Sequence, residues 1–173
     1  MNLYRVAERA MSMDDAVWRR HANPWSGWTR MSALPLLALA IWSRVWLGWG
    51  ALIAVLLVLI WVWLNPRIFA PPGDLDNWMG KGVMGERIFL EHRSEVPAHQ
   101  RRAALILSLL SVPGLIVMAW GLWTYWWEGV VFGTVLSMLP KIWFVDRMVW
   151  IYEDWCREGR AVPGMGQENE NNE

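Results

Sequence analysis

The sequence predicts an all-α integral membrane protein, with four transmembrane helices arranged as two helical hairpins and interfacial helices at the N-terminus and in a central loop. Three observations predict it. Residues 51–64 and 103–127 carry no charged side chain, whereas residues 65–102 between them are crowded with Asp, Glu, Lys and Arg, a segregation that globular cores rarely show. Sixteen tryptophans stand among 173 residues, and Trp collects where lipid meets water because its ring is apolar while its N–H seeks water or headgroups. Finally, Lys and Arg crowd alternate polar segments, as expected of a chain that crosses and recrosses a bilayer.

The elements follow in order. Residues 1–30 read as a polar, partly amphipathic segment at the membrane surface: Leu3, Val6, Ala7 and Ala10 fall at helical spacing, and Ser12 with Asp14 and Asp15 resembles a helix cap followed by acids in the first turn. Asn23-Pro24 is a second start signal, with Asn as cap and Pro at the first helical position. Starting there gives the first membrane helix, 24–43, the length that its short apolar core lacks, and places Trp25, Trp28 and a snorkelling Arg30 in the headgroup layer. A tight turn marked by Arg44 leads to the second helix, 47–64, ended by Asn65-Pro66 and the Pro71-Pro72-Gly73 cluster.

From Leu75 to Glu91 apolar and charged residues mix, which predicts an interfacial helix weakened by Gly80, Gly82 and Gly85. The third membrane helix, 100–125, contains Pro113-Gly114 as a kink site and closes on Trp120, Trp123, Trp126 and Trp127. The second hairpin turns at Glu128-Gly129 into the fourth helix, 129–150. Residues 1–158 form one domain, and the Gly-, Asn- and Glu-rich tail 159–173 is expected to be disordered. The two Asn-Pro pairs occupy inequivalent positions, so no internal repeat is read. No secretory signal is expected, because the first apolar run lies behind a long leader containing Asp14 and Asp15.

Orientation follows from the basic residues. Arg5, Arg9, Arg19, Arg20 and Arg30 precede or open the first helix; Arg67, Lys81, Arg87, Arg93, Arg101 and Arg102 fill the central segment; Arg147, Arg157 and Arg160 follow the last. The opposite side has Arg44 alone. Both termini and the central loop are therefore expected in the cytoplasm, the chain being a multi-pass protein of the cell membrane.

Few residues could carry chemistry. Lys141, Asp146 and Arg147 fall within or just inside the fourth helix, where a charge costs about 2.5–3.5 kcal/mol and is normally paired or faces a cavity. Lys141 lies roughly 18 Å along that helix, and Gly129, Gly133 and Ser137 precede it at every fourth position, a small-residue face expected to pack inward. Asn23, Asn65, Arg67 and the Asp146-Arg147 pair are expected to meet in a polar cluster at the inner interface. His21 is isolated, and Glu86 and Glu91 read as solvated. His92, Glu95 and His99 have helix-like spacing, but Pro97 interrupts them, so neither a metal site nor a cofactor is expected. A single cysteine, Cys156, excludes an intramolecular disulfide, and zero net charge argues against a nucleic-acid partner.

Four strings, HANPWSGWTR (21–30), WLNPRIF (63–69), GER (85–87) and KIWFVDRMVW (141–150), resemble the marks of a family of small prokaryotic multi-helix membrane proteins of unknown function. The resemblance spans Val17 to Asp154, implies the multi-helix membrane fold, and brings no catalytic residues with it. The leading expectation is a non-enzymatic helical bundle whose partner is the lipid bilayer. The alternatives are a small transporter or membrane enzyme using Lys141 as an intramembrane charge, and an accessory subunit of a larger membrane complex or a homo-oligomer.

Overall fold

A computed structural model describes residues 14–164, and among these every regular element is helical. They are α1 (Asp15–His21), α2 (Pro24–Met31), α3 (Ala33–Trp42), α4 (Arg44–Leu47), a 3-10 turn (Gly48–Gly50), α5 (Ala51–Ile68), α6 (Trp78–Glu91), α7 (Ala98–Thr124) and α8 (Trp127–Arg157). The amphipathic pattern at Leu3–Ala10 and the Ser12 cap lie outside the described residues. Asp14 caps α1 itself, its side chain accepting from Val17 N at 2.8 Å.

Among the described residues three helical stretches are long and apolar enough to cross a membrane: Pro24–Ile68, Ala98–Thr124 and Trp127–Arg157. The first is no single rod. Gly48 has φ of 53°, and α5 doubles back so that Asn65 meets Ser26, with Ser26 Oγ and Asn65 Oδ1 3.0 Å apart. That positive φ moves the start of α5 to Ala51 rather than the expected 47. At its other end α5 runs through Pro66 to Ile68, past the expected stop at 64, with Pro66 buried and Arg67 reaching back to the carbonyl of Trp63. The stretch expected as one helix, 24–43, is divided at Ser32, whose hydroxyl donates to Thr29 O at 2.6 Å.

The chain turns between α7 and α8 at Tyr125-Trp126, three residues before the expected Glu128-Gly129. Tyr125 takes a left-handed φ of 59°, and Gly129 instead lies inside α8, where its missing side chain admits the ring of Trp126. Gly114 on α7 faces Ser137 of α8, whose backbone nitrogen would stand 2.5 Å from a Cβ there, and Gly133 meets the backbone of Met118. The small-residue face thus seats α8 on α7, as small residues do between helices in lipid. At this tip of the molecule Arg44 donates to Leu122 O and lies 4.5 Å from the centre of the Tyr125 ring, joining the turn after α3 to the end of α7. Ala38, Met118, Leu122 and Val130 form a small core below it.

The larger core sits at the opposite end, the base. There Ile88 and Phe89 of α6 pack with Ala104 and Leu107 of α7 and with Phe144, Met148, Ile151 and Trp155 of α8. The α8 residues recur at helical spacing, so one stripe of that helix is buried, each large side chain contributing about 1.5–3 kcal/mol. The central segment is therefore a packed helix and not a weak surface one. Its glycines are contact points: Gly82 faces Val145 Cγ1, and Gly85 lies directly on the backbone of Met148. Residues 159–164, expected to begin a disordered tail, fold back onto the base, where Trp155 Nε1 donates to Ala161 O at 3.0 Å and Arg160 Nη1 binds Glu95 at 2.8 Å. Residues 165–173 lie outside the described part.

Elsewhere the surface is apolar. Leu52, Ile53, Leu56, Leu57, Leu105, Ile106, Leu109, Val131, Phe132 and Val135 are all exposed, and only 6% of the apolar window of Pro24–Ile68 is buried. So large a continuous apolar surface is foreign to a water-soluble monomer.

Candidate functional site

Beside the core at the base lies a cavity of about 400 Å³, a size typical of ligand pockets. Its walls come from α1, α2, α3, α5, α6 and α8. Most lining side chains are apolar, Leu34, Val62, Met79 and Met138 among them, and five are polar: His21, Arg30, Glu86, Lys141 and Ser137, whose hydroxyl donates to Gly133 O at 2.9 Å.

One wall is fixed by a directed chain of hydrogen bonds. Thr29 donates its hydroxyl to Trp25 O at 2.6 Å, so its oxygen accepts from Asn65 Nδ2 at 2.7 Å; Asn65 Oδ1 in turn accepts from Ser26 Oγ at 3.0 Å. Ser26 has then spent its proton. The 2.8 Å contact between Ser26 Oγ and His21 Nδ1 therefore runs from the imidazole, which fixes His21 as the Nδ1–H tautomer with Nε2 as its acceptor. Asn65 and Ser26 are fully buried, so each bond replaces one that water cannot supply.

His21 is 6% exposed. Burial, followed by the positive fields of Arg30 and Lys141, pushes its pKa down from 6.5 to about 3, leaving it neutral. The folded ring thus refuses a proton that the unfolded chain takes up below pH 6.5, and stability falls as the pH drops through the window from 6.5 towards 3. Between pH 6.5 and 5 this single group is expected to cost about 2 kcal/mol. His21→Asn, whose amide can donate to Ser26 in place of Nδ1–H, is expected to flatten the melting temperature of the detergent-solubilised protein across that window. An unchanged slope would assign it to other groups.

Arg30 and Lys141 are the cavity's cations. Arg30, expected to snorkel outward, instead lines the cavity, and its Nη1 is buried without a hydrogen-bond partner. Lys141 lies at the rim, its side chain 56% exposed, with Nζ 4.0 Å from Glu86 Oε1 and 4.5 Å from the centre of the Phe144 ring. Glu86, expected to be solvated, is 29% exposed and turned toward Lys141, while Glu91 is held by Arg87 at 2.8 Å.

The residues expected to cluster do not meet in one group. Asn23 and Arg67 lie near the ends of α2 and α5, where Asn23 Nδ2 donates to Ala70 O at 3.0 Å and its Oδ1 caps α2, while Arg20 donates to Arg67 O at 2.9 Å; Asn65 bonds to Ser26 and Thr29 instead. Asp146 lies on α8 and accepts from Trp78 Nε1 at 3.2 Å; Arg147 lies over the Trp150 ring at 4.6 Å. Trp78, the partner of Asp146, stacks on Trp28 of α2 with 5.6 Å between ring centres. Sequence reasoning missed His21, Ser26, Thr29, Arg30 and Glu86 as partners. Among the described residues no group of three or more His, Cys, Asp or Glu could hold a metal ion. His92 instead contacts Glu95 at 3.0 Å and packs on Trp155.

The four strings quoted from the sequence all reach this region. His21 to Arg30, Asn65, Glu86 and Lys141 come from one string each, and a family model covers nearly the whole chain, residues 4–167. The chain belongs to a family of unknown function, DUF6653. No curated protein and no solved structure matches it. The function of this DUF6653 chain has therefore to be argued from the cavity itself.

Proposed function

We propose that the chain is a multi-pass membrane protein with four spans and both termini in the cytoplasm, and that it works by binding an anionic group in the cavity at its base. The four-span reading is supported by the reversal at Gly48, which divides Pro24–Ile68 into an antiparallel pair. Two belts of exposed tryptophan support the placement. Trp46, Trp49, Trp120, Trp123 and Trp127 surround the tip, whereas Trp25, Trp28, Trp63, Trp143 and Trp150 surround the base. Along α8, Trp127 and Trp143 are separated by roughly 24 Å and Trp127 and Trp150 by roughly 35 Å, which brackets a hydrocarbon layer of about 30 Å. The basic residues gather at the base, the cytoplasmic side by the positive-inside rule.

The observation that carries the binding reading is Arg30. A guanidinium nitrogen buried without a partner is costly, and an anion in the cavity beside Lys141 would satisfy it. The second reading, a transporter or enzyme using Lys141, draws on the placement of that amine at the cavity rim against Glu86. Lys141→Met is expected to weaken anion binding on either reading; transport or turnover by the folded wild-type protein that this variant abolishes favours the second, and binding with neither transport nor turnover favours the first.

Topology has a direct test. Cys156 is the only cysteine and is exposed near the end of α8. A membrane-impermeant maleimide is expected to label it in inverted vesicles and not in intact cells, whereas Trp49→Cys in a Cys156→Ser background should label in intact cells. The reverse pattern would overturn the orientation, and labelling of both sites from the same side would overturn the four-span reading.

A further inference from the structure

The cavity is open on one side, and its rim identifies where a ligand enters. Among the lining residues Lys141 and Ile142 are exposed, and their neighbours on α8, Leu139 and Trp143, are exposed to 60% and 56%. The mouth thus opens among apolar side chains at the level of the basal tryptophan belt. A soluble anion approaching there would cross an apolar surface; an amphiphile lying in the same leaflet would not.

The polar groups specify the headgroup. Arg30 and Lys141 bring two positive charges and Glu86 one negative, so a single negative charge balances the cavity. Donors and acceptors are both on offer: the guanidinium and ammonium call for anionic oxygens, whereas the Glu86 carboxylate and the Nε2 acceptor of His21 call for O–H donors. Leu34, Val62 and Met138 continue the cavity as an apolar wall.

We infer that the cavity receives the headgroup of a monoanionic, hydroxyl-bearing phospholipid from the cytoplasmic leaflet, with its phosphodiester against Arg30 and Lys141, its hydroxyls against Glu86, and an acyl chain leaving past Ile142. This inference rests on the anion-binding reading of the same cavity and adds the source and chemical class of the ligand.

The test uses the full chain in phosphatidylcholine nanodiscs, with thermal stability and native mass spectrometry as readouts. Four additions are compared: phosphatidylglycerol, phosphatidic acid with the same chains, further phosphatidylcholine, and soluble glycerophosphate. Phosphatidylglycerol is expected to raise Tm above the other three and to be retained as one bound molecule. Arg30→Gln should weaken that retention about tenfold, the loss of one charge-assisted contact, while Arg102→Gln, at an exposed basic position outside the cavity, should leave it unchanged. If Arg30→Gln does not fold, Lys141→Gln at the exposed rim serves in its place. Equal effects of the two anionic lipids would overturn the hydroxyl assignment. Stabilisation by glycerophosphate as strong as by the lipid would overturn the lipid source and leave the anion-binding reading standing; no anion-dependent difference between wild type and either cavity variant would overturn both.

Discussion

Gly85→Ala is expected to destabilise the protein by about 3 kcal/mol, the upper end of what overpacking costs, because the added methyl would overlap the carbonyl of Met148 rather than a movable side chain. Backbone cannot rotate away. Either α6 lifts from α8 or the hydrogen bonding of α8 distorts, and both open the core of Ile88, Phe89, Phe144 and Met148. Gly82→Ala meets chiefly a side-chain methyl, Val145 Cγ1 at 2.5 Å, which can give more readily than backbone, and should cost less. Gly73→Ala has no atom within 4 Å and should cost nothing. The ranking is read from melting temperatures in detergent and from proteolytic cutting between α6 and α7. Equal behaviour of the three variants would mean that α6 is not seated on α8 as described.

That ranking also shows where the sequence stops being informative. Glycines at 80, 82 and 85 lower helix propensity by a local rule, and local rules read them as weakness. The use of Gly82 and Gly85 depends on Val145 and Met148, more than sixty positions away, and that of Gly80 on the carbonyl of Ala22, and no pattern within 75–91 announces either. Helix starts fared differently. The Asn23-Pro24 cap is made by neighbouring atoms, Asn23 Oδ1 accepting from Trp25 N, so it was legible from four residues. The reversals were half legible: Arg44 marked the first tip, but whether the chain turns at Gly48 or at Ser43 is decided by which residue takes the positive φ.

The site divides along the same line. The run Gly129, Gly133, Ser137, Lys141 does mark a helix face, since the first three residues lie against α7. What faces Lys141 is Glu86, a residue that looks solvated until α6 is docked. Arg30 follows the same logic. A basic residue after Trp28 at a membrane boundary reads as a snorkelling anchor, and only the break at Ser32 with the packing of α2 against α6 turns it inward.

Asn65→Leu is the second large effect, expected at about 3 kcal/mol. The substitution keeps volume and removes an amide that bridges α2 to α5 through two hydrogen bonds: Ser26 loses its acceptor at 3.0 Å and Thr29 its donor at 2.7 Å. Ser26 is wholly buried, so the stranded hydroxyl costs roughly 1–3 kcal/mol by itself. Removing both partners should be milder than the sum of removing each. Ser26→Ala together with Asn65→Leu is therefore expected to recover about 1 kcal/mol relative to additivity, a coupling measurable by a double-mutant cycle in detergent. Asn65→Asp retains the acceptor for Ser26 but sets a second oxygen against Thr29, whose own proton is already given to Trp25 O. Its carboxyl must then carry a proton to donate, so this variant should regain stability as the pH falls, opposite in sign to the His21-dependent loss in the wild type. Additive single variants, or an Asn65→Asp protein with the wild-type pH profile, would show that the chain of hydrogen bonds from His21 to Trp25 does not hold the hairpin to the base.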